Sequence, residues 1–173
     1  MYSPKIHTKI EIRLANQENL FDLLLCANEF LDFIEDFKDK FLNKNFFVLS
    51  AYYENILAGI LIAEDKTQKI DSLEKIIPIM TLHLIFVNPT FRKKDIGKTL
   101  LKSFISTQKK NGIASIYVKL PQKYKEGIRF FLKNDFKMIN KTKNKIVLEI
   151  ILWKDYGIRE CHIIGENFND MFY

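Results

Sequence analysis

Between Ile79 and Lys110 the hydrophobic pattern of the chain changes period, and that change limits it to a small set of folds. Ile79 to Val87 is a long run of bulky and β-branched residues, stopped by Asn88-Pro89, and reads as a strand. Beyond the turn, Ile96, Leu100, Leu101, Phe104 and Ile105 fall on one stripe at helical spacing, with lysines and hydroxyls opposite. Asn111-Gly112 closes that helix, because glycine accepts the left-handed C-terminal conformation. An apolar strand that turns into an amphipathic helix belongs to a sheet covered by helices, so the class is α/β or α+β.

The flanking segments fill out that sheet. His7 to Leu14 alternates, with Ile10, Ile12 and Leu14 on one face, and predicts a strand. Asn16 is a good N-cap with Glu18 in the first turn. Leu20-Leu23-Leu24-Ala27 and Phe30-Leu31-Ile34 follow at helical spacing, as one bent helix or as two broken near Phe33 to Phe37. Phe46 to Tyr53 and Ile56 to Ala63 predict a hairpin turning at Glu54-Asn55, and the polar residues 64–77 a loop. Ala114 to Leu120 reads as a short strand closed by Pro121. Tyr124 to Asn134 reads as a helix burying Ile128, Phe131 and Leu132. A turn at Lys141 to Asn144 leads into a final strand, Ile146 to Trp153.

The 173 residues suit one domain or one domain with an extension, and 47% apolar content with 15 Phe is enough for a sizeable core. Six Gly and four Pro argue against a disordered chain. The start has no hydrophobic run after a basic cluster, and no stretch of about 18 uncharged apolar residues occurs, so a soluble, cytoplasmic protein without a membrane span is expected. Cys26 in an apolar helix reads as a small hydrophobe. The Cys161-His162 pair has no partners at zinc spacing, so no metal is expected.

Charge is uneven. Glu29, Asp32, Glu35, Asp36 and Asp39 crowd one stretch against Lys38 and Lys40. Arg92, Lys93, Lys94, Lys98, Lys102, Lys109 and Lys110 face Asp95 alone in another. The basic segment suits a polyanion, either nucleic acid or the phosphates of a nucleotide-like cofactor, with a solvated lysine surface as the plain alternative. A nucleic-acid module ranks last, since neither an aromatic-basic motif for single strands nor a recognition helix is present.

The loop between strand and helix is where chemistry is expected. Backbone N–H groups at a helix start, with the positive end of its dipole, bind phosphate well. Gly97 lets the backbone approach a ligand, and Arg92, Lys93 and Lys94 add charge. Val87-Asn88-Pro89 followed by Arg92-Lys93-Lys94-Asp95-Ile96-Gly97 resembles the acetyl-CoA motif of the GNAT superfamily of N-acyltransferases, a strand ending V-x-P and then Arg/Gln-x-x-Gly-x-Gly/Ala. Asp95 departs from the pattern at its first glycine, placing a negative charge near the pyrophosphate. Further on, Tyr124 to Phe136 keeps the spacing of the family's Asn-x-x-Ala and Phe-Tyr-x-x-x-Gly-Phe, with Tyr124 at the usual asparagine. Phe131 stands where the family's tyrosine protonates the CoA thiolate.

The resemblance covers about residues 6–153 and implies a mixed, mostly antiparallel sheet of six or seven strands flanked by about four helices. The GNAT-like domain would then span 1–153, and 154–173 would be a C-terminal extension whose aromatic residues dock on the same subunit or on a neighbour, as in a homodimer. Implied acetyl-CoA contacts are Phe86, Val87, Arg92, Lys93, Lys94, Asp95, Ile96, Gly97, Lys98 and Phe131. The implied activity is direct transfer of an acetyl group to a primary amine: a peptide N-terminus, lysine, polyamine or small amine. The acidic stretch Glu29 to Asp39 falls in the region that lines the family's acceptor site and would attract a cationic amine, or is a solvated helix face.

Such transfer needs a base for the amine and stabilisation of the thiolate. At the family's glutamate this chain has Thr81. Strand alternation puts Thr81, His83, Ile85 and Val87 on one face and makes His83 the candidate base, against the alternative of a packed core histidine. Tyr124 and Tyr117 offer hydroxyls as the acid, against packing or cofactor contact. Phe131 and Asp95 also motivate a competing reading, a non-catalytic acyl-CoA-binding module.

Overall fold

A computed structural model of the protein describes residues 10–31, 34, 36–43, 46–70 and 75–153. The predicted extension 154–173, the Cys161-His162 pair and three of the five clustered acids (the side chain of Glu29, with Asp32 and Glu35) lie outside the described residues. Among the described residues nine strands form: β1 (Ile10–Leu14), β2 (Phe46–Tyr53), β3 (Ile56–Asp65), β4 (Gln68–Ile70), β5 (Lys75–Ile77), β6 (Ile79–Val87), β7 (Ser115–Pro121), β8 (Lys137–Lys141) and β9 (Lys145–Ile151). The helices are α1 (Leu20–Leu31), α2 (Phe37–Leu42), α3 (Ile96–Lys110) and α4 (Lys125–Lys133).

Seven strands make one sheet in the order β1-β2-β3-β6-β7-β9-β8. Every neighbouring pair is antiparallel except β6 and β7, which run parallel because α3 carries the chain back between them. Helices cover both faces. On one, Leu100, Leu101 and Phe104 of α3 and Ile128 and Phe131 of α4 pack on Leu61, Ala63, Leu82, Ile116 and Leu148. On the other, Leu23 and Leu31 of α1 and Phe37 and Phe41 of α2 pack on Phe46, Val48, Ile60 and Ile62. The predicted break between the first helices is present, and α1 is itself kinked at Ala27.

Turn chemistry follows the residues. Glu54 and Asn55 both take positive φ, as a two-residue hairpin turn requires, and Gly112 closes α3 at φ 76°. Two local expectations fail, and one strand is an element the sequence reading does not include. Residues 64–77 are not all loop, because β4 and β5 pair as a small separate hairpin and Ile77 packs beside Ile79, Tyr117 and Val147. Lys137–Lys141 forms an edge strand whose exposed residues leave no alternation to read. Leu132 of α4 is exposed, not buried.

Candidate functional site

The site begins where two strands part. β6 and β7 are paired from Ile79–Ser115 to Leu82–Val118, and there the pairing ends. Beyond it β6 continues to Val87 bonded only to β3, and β7 to Pro121 bonded only to β9. A wedge therefore opens between two parallel strands in the middle of the sheet, and the main-chain groups on its inner edges lack strand partners.

His83 lies at the vertex of this wedge, as the first residue of β6 past the last rung. The vertex coincides with a β-bulge. Ile62 faces Leu84 while Ala63 faces Leu82, so His83 is the extra residue. The bulge reverses the alternation of β6. Met80 and Leu82 before it and Ile85 and Val87 after it all face α3, whereas Leu84 and Phe86 face α1. His83 is not on the face of Ile85 and Val87, as strict alternation predicts. Its ring meets Phe46 edge-on at 5.7 Å and its Nε2 lies 2.7 Å from Glu64 Oε2, on the α1–α2 side.

Glu64 continues the stripe Ile60-Ile62 on β3 and is nearly buried. Burial alone would raise its carboxyl, but hydrogen bonds and positive charge from Lys66 and His83 outweigh that and hold it below the ordinary carboxylate value. Lys66 Nζ is 2.9 Å from the other carboxylate oxygen and Lys40 Nζ is 4.0 Å away. An ionised carboxylate only accepts, so the 2.7 Å contact puts the proton on His83 Nε2 and leaves Nδ1 as the basic nitrogen of the neutral ring.

The loop from β6 to α3 is built for an anion. Asn88 Oδ1 accepts from Thr90 N, the backbone makes one tight turn through Pro89–Phe91, and Arg92 Nε reaches the Val87 carbonyl at 3.4 Å. Lys93 and Asp95 then take left-handed φ of 62° and 59°. Among the described residues no protein acceptor engages the amides of Lys93 to Lys98, and left-handed residues leading into a helix start form a concave nest of N–H groups. Asp95 is the N-cap residue, but its side chain makes no cap bond and its carbonyl accepts from both Thr99 N and Thr99 Oγ1. Its left-handed backbone explains why a glycine suits the same place.

The remaining predicted contacts divide. Val87 borders Gly97, where an added Cβ would lie 3.6 Å from its side chain. Arg92, Lys93, Asp95 and Lys98 are exposed on the loop, and Lys94 Nζ sits 4.8 Å over the Tyr53 ring. Ile96 is 1% exposed, so only its amide can serve a ligand. Phe86 packs towards α1, and Phe131 is a core residue between Phe130 and Phe136. Phe131 thus has little surface to offer a cofactor. Tyr124 is half exposed at the start of α4, its ring lying so close over Gly127 that no Cβ fits there. No described contact joins it to His83. Tyr117 is 2% exposed, and burial together with Glu149 pushes its phenol far above the usual value, which leaves it unsuited as an acid.

Residue reasoning missed Glu64 and Gly59. Glu64 was visible as a carboxylate extending an apolar stripe. Gly59 shows only in three dimensions, where its added Cβ would fall 2.8 Å from the Phe86 carbonyl oxygen and 3.2 Å from Ile96 Cγ2.

A parallel strand pair splayed around a helix-start nest invites comparison with known families, and the sequence profile described as Acetyltransferase (GNAT) domain matches residues 13–151. The chain belongs to the GNAT acetyltransferase family. No curated protein matches it significantly by sequence. Similar solved structures include the PaiA N-acetyltransferase of Thermoplasma acidophilum in complex with coenzyme A, at 22% identity and TM-score 0.64, covering 83% of this chain and 99% of that one. Arabidopsis thaliana NAA60 with a bisubstrate analogue gives 14% and 0.67, covering 83% and 98%. The ribosomal-protein-S18-alanine N-acetyltransferase of Escherichia coli gives 15% and 0.66, covering 83% and 94%. At these identities the GNAT protein shares their fold. No helix among its described residues is long and apolar enough to cross a membrane.

Proposed function

We propose that the protein transfers an acetyl group from acetyl-CoA directly to a primary amine, with His83 taking the amine proton. The observation that carries this reading is the wedge itself. The unpartnered amides of Lys93 to Lys98 stand beyond the end of β6, and four residues back along that strand from Val87 the vertex holds the imidazole of His83. Amides suit the pyrophosphate, and the open inner edges of β6 and β7 suit the extended arm of the cofactor. Acetyl-CoA, when bound, supplies an activated acetyl group.

The rest falls to the chain's own residues. Glu64 engages Nε2 and is itself held by Lys66, which fixes the ring of His83 and leaves the Nδ1 lone pair for the acceptor amine. An amine reaching the vertex from the α1–α2 face gives its proton to Nδ1, directly or through one water, and the resulting imidazolium is stabilised by the Glu64 carboxylate. As the C–N bond forms the thioester C–S bond breaks, and the thiolate leaves and takes its proton from solvent. The test is His83→Gln. Its kcat should fall about 100-fold or more, the usual scale for loss of a general base, with CoA affinity nearly unchanged. The acidic limb of the pH–rate profile should vanish. Near-normal turnover with an unaltered profile would remove His83 from the mechanism and leave positioning of the two substrates as the source of rate.

A further inference from the structure

The lysines around the wedge say something about the acceptor. On the face that carries His83, β3 lies on one side of β6 and β7 on the other. Lys66 follows β3 directly, its amide bonded to the Ile79 carbonyl and its ammonium on Glu64. Lys119 lies on β7 one residue past the last rung, level with His83, and on the side of Tyr117 away from the α3 core. Across β9, Lys145 pairs with Pro121 at the mouth. Burial first, and then the positive charges of Lys145 and Lys66, depress the Lys119 ammonium.

Beyond Pro121 the same positive band continues into an open basin of about 480 Å³, lined by Pro121, Gln122, Lys123, Lys125, Lys143 and Asn144. A bond from Gln122 N to the Asn144 carbonyl ties its two walls together. Among the described residues, Glu64 is engaged with Lys66 and His83, and Glu149 with Tyr117. Of the clustered acids expected to draw a cationic amine, Asp36 and Asp39 are described, and both are exposed.

We propose that the acceptor is an amine flanked by anionic groups, carboxylate or phosphate, which the band from Lys66 and Lys119 to Lys143 and the basin receives while the amine is held at His83. This rests on the acetyltransfer reading above. Lys119 and Lys145 on two strands, Lys125 at a helix start, and Lys66, Lys123 and Lys143 on the connecting loops raise the local concentration of an anion, whereas a second cation on the acceptor would be repelled.

The test uses the full chain and peptides of equal length with the same N-terminal residue, followed by acidic, neutral or basic side chains. O-phosphoethanolamine serves as a small phosphorylated amine. The acidic peptide should show a kcat/KM about tenfold or more above the neutral one, and the basic peptide should fall below it. Turnover of the peptide or of the phosphorylated amine tells which anion the band serves. Lys119→Gln with Lys143→Gln should erase the ratio between acidic and neutral peptides, and Lys143→Glu should invert it. Equal use of all three peptides, or preference for the basic one, overturns the proposal. So does a double variant that keeps the ratio but loses CoA affinity by titration calorimetry, since the lysines would then serve the cofactor's phosphates. If no amine is acetylated, binding of the acidic over the basic peptide in the presence of CoA upholds the cationic, anion-receiving surface while the acetyltransfer reading falls, and equal binding ends both.

Discussion

Two glycines flank the start of α3, and the structure assigns them opposite tolerances. At Gly59 of β3 an added Cβ would stand 2.8 Å from the Phe86 carbonyl oxygen, 3.2 Å from Ile96 Cγ2 and 3.3 Å from Leu100 Cδ1. The nearest of these is backbone, and Ile96 and Leu100 are 1% and 0% exposed, so neither neighbour can swing aside. Relief requires β3 to move from β6, or α3 to lift from the sheet. Overpacking of this kind costs about 1–3 kcal/mol. At about 2–4 °C per kcal/mol for a chain of this size, Gly59→Ala should lower Tm by roughly 2–12 °C. At Gly97 the corresponding neighbours lie at 3.6–3.9 Å, ordinary contact, and φ is not positive. Gly97→Ala should leave Tm unchanged or raise it by the gain in helix propensity, up to about 1 kcal/mol. Calorimetric unfolding of both ligand-free variants measures the contrast, and CoA titration then asks whether the Gly97 methyl hinders a phosphate at the nest. A Gly59→Ala protein that melts like the parent, or one less damaged than Gly97→Ala, would refute the claim that α3 seats on β3 without slack.

Asp95→Gly should tighten CoA binding, because it removes a negative charge beside the nest and relieves a left-handed residue at φ 59°. Asp95→Ala should lose stability by about 1 kcal/mol for the same backbone reason, and titration with thermal melts checks both. The folded state holds Glu64 below its ordinary value, so its contribution to stability is complete above about pH 4.3 and is lost as pH falls through the folded-state value. Glu64→Gln should therefore flatten the acid side of the Tm–pH curve below that point. An unchanged slope would show that the Lys66–Glu64–His83 cluster adds nothing to folding.

The sheet, both helix layers and the loop that starts α3 were legible because each rests on local chemistry: near-continuous apolar runs in Phe46–Tyr53 and Ile56–Ala63 around the Glu54-Asn55 turn, a helical stripe from Ile96 to Phe104, and Asn88-Pro89 as a stop. What escaped were features set by pairing between distant residues. The edge strand Lys137–Lys141 exists because β9 offers a partner, and β4 and β5 exist because they find each other. The bulge has the same character. Nothing in Thr81-Leu82-His83-Leu84 marks an extra residue, and only the register of β3 against β6 reveals that Ile62 meets Leu84 while Ala63 meets Leu82. One unpaired residue moved His83 from the face of Ile85 and Val87 to that of Phe46 and Glu64, where the neighbouring strand had placed a carboxylate. The candidate base was thus found for a reason that does not hold, since period two alone sets it against α3. Its actual environment depends on a bulge at the point where β6 and β7 part. The bulge and the end of the β6–β7 pairing fall at the same residue, so the feature that turns His83 towards the α1–α2 side stands at the vertex of the wedge.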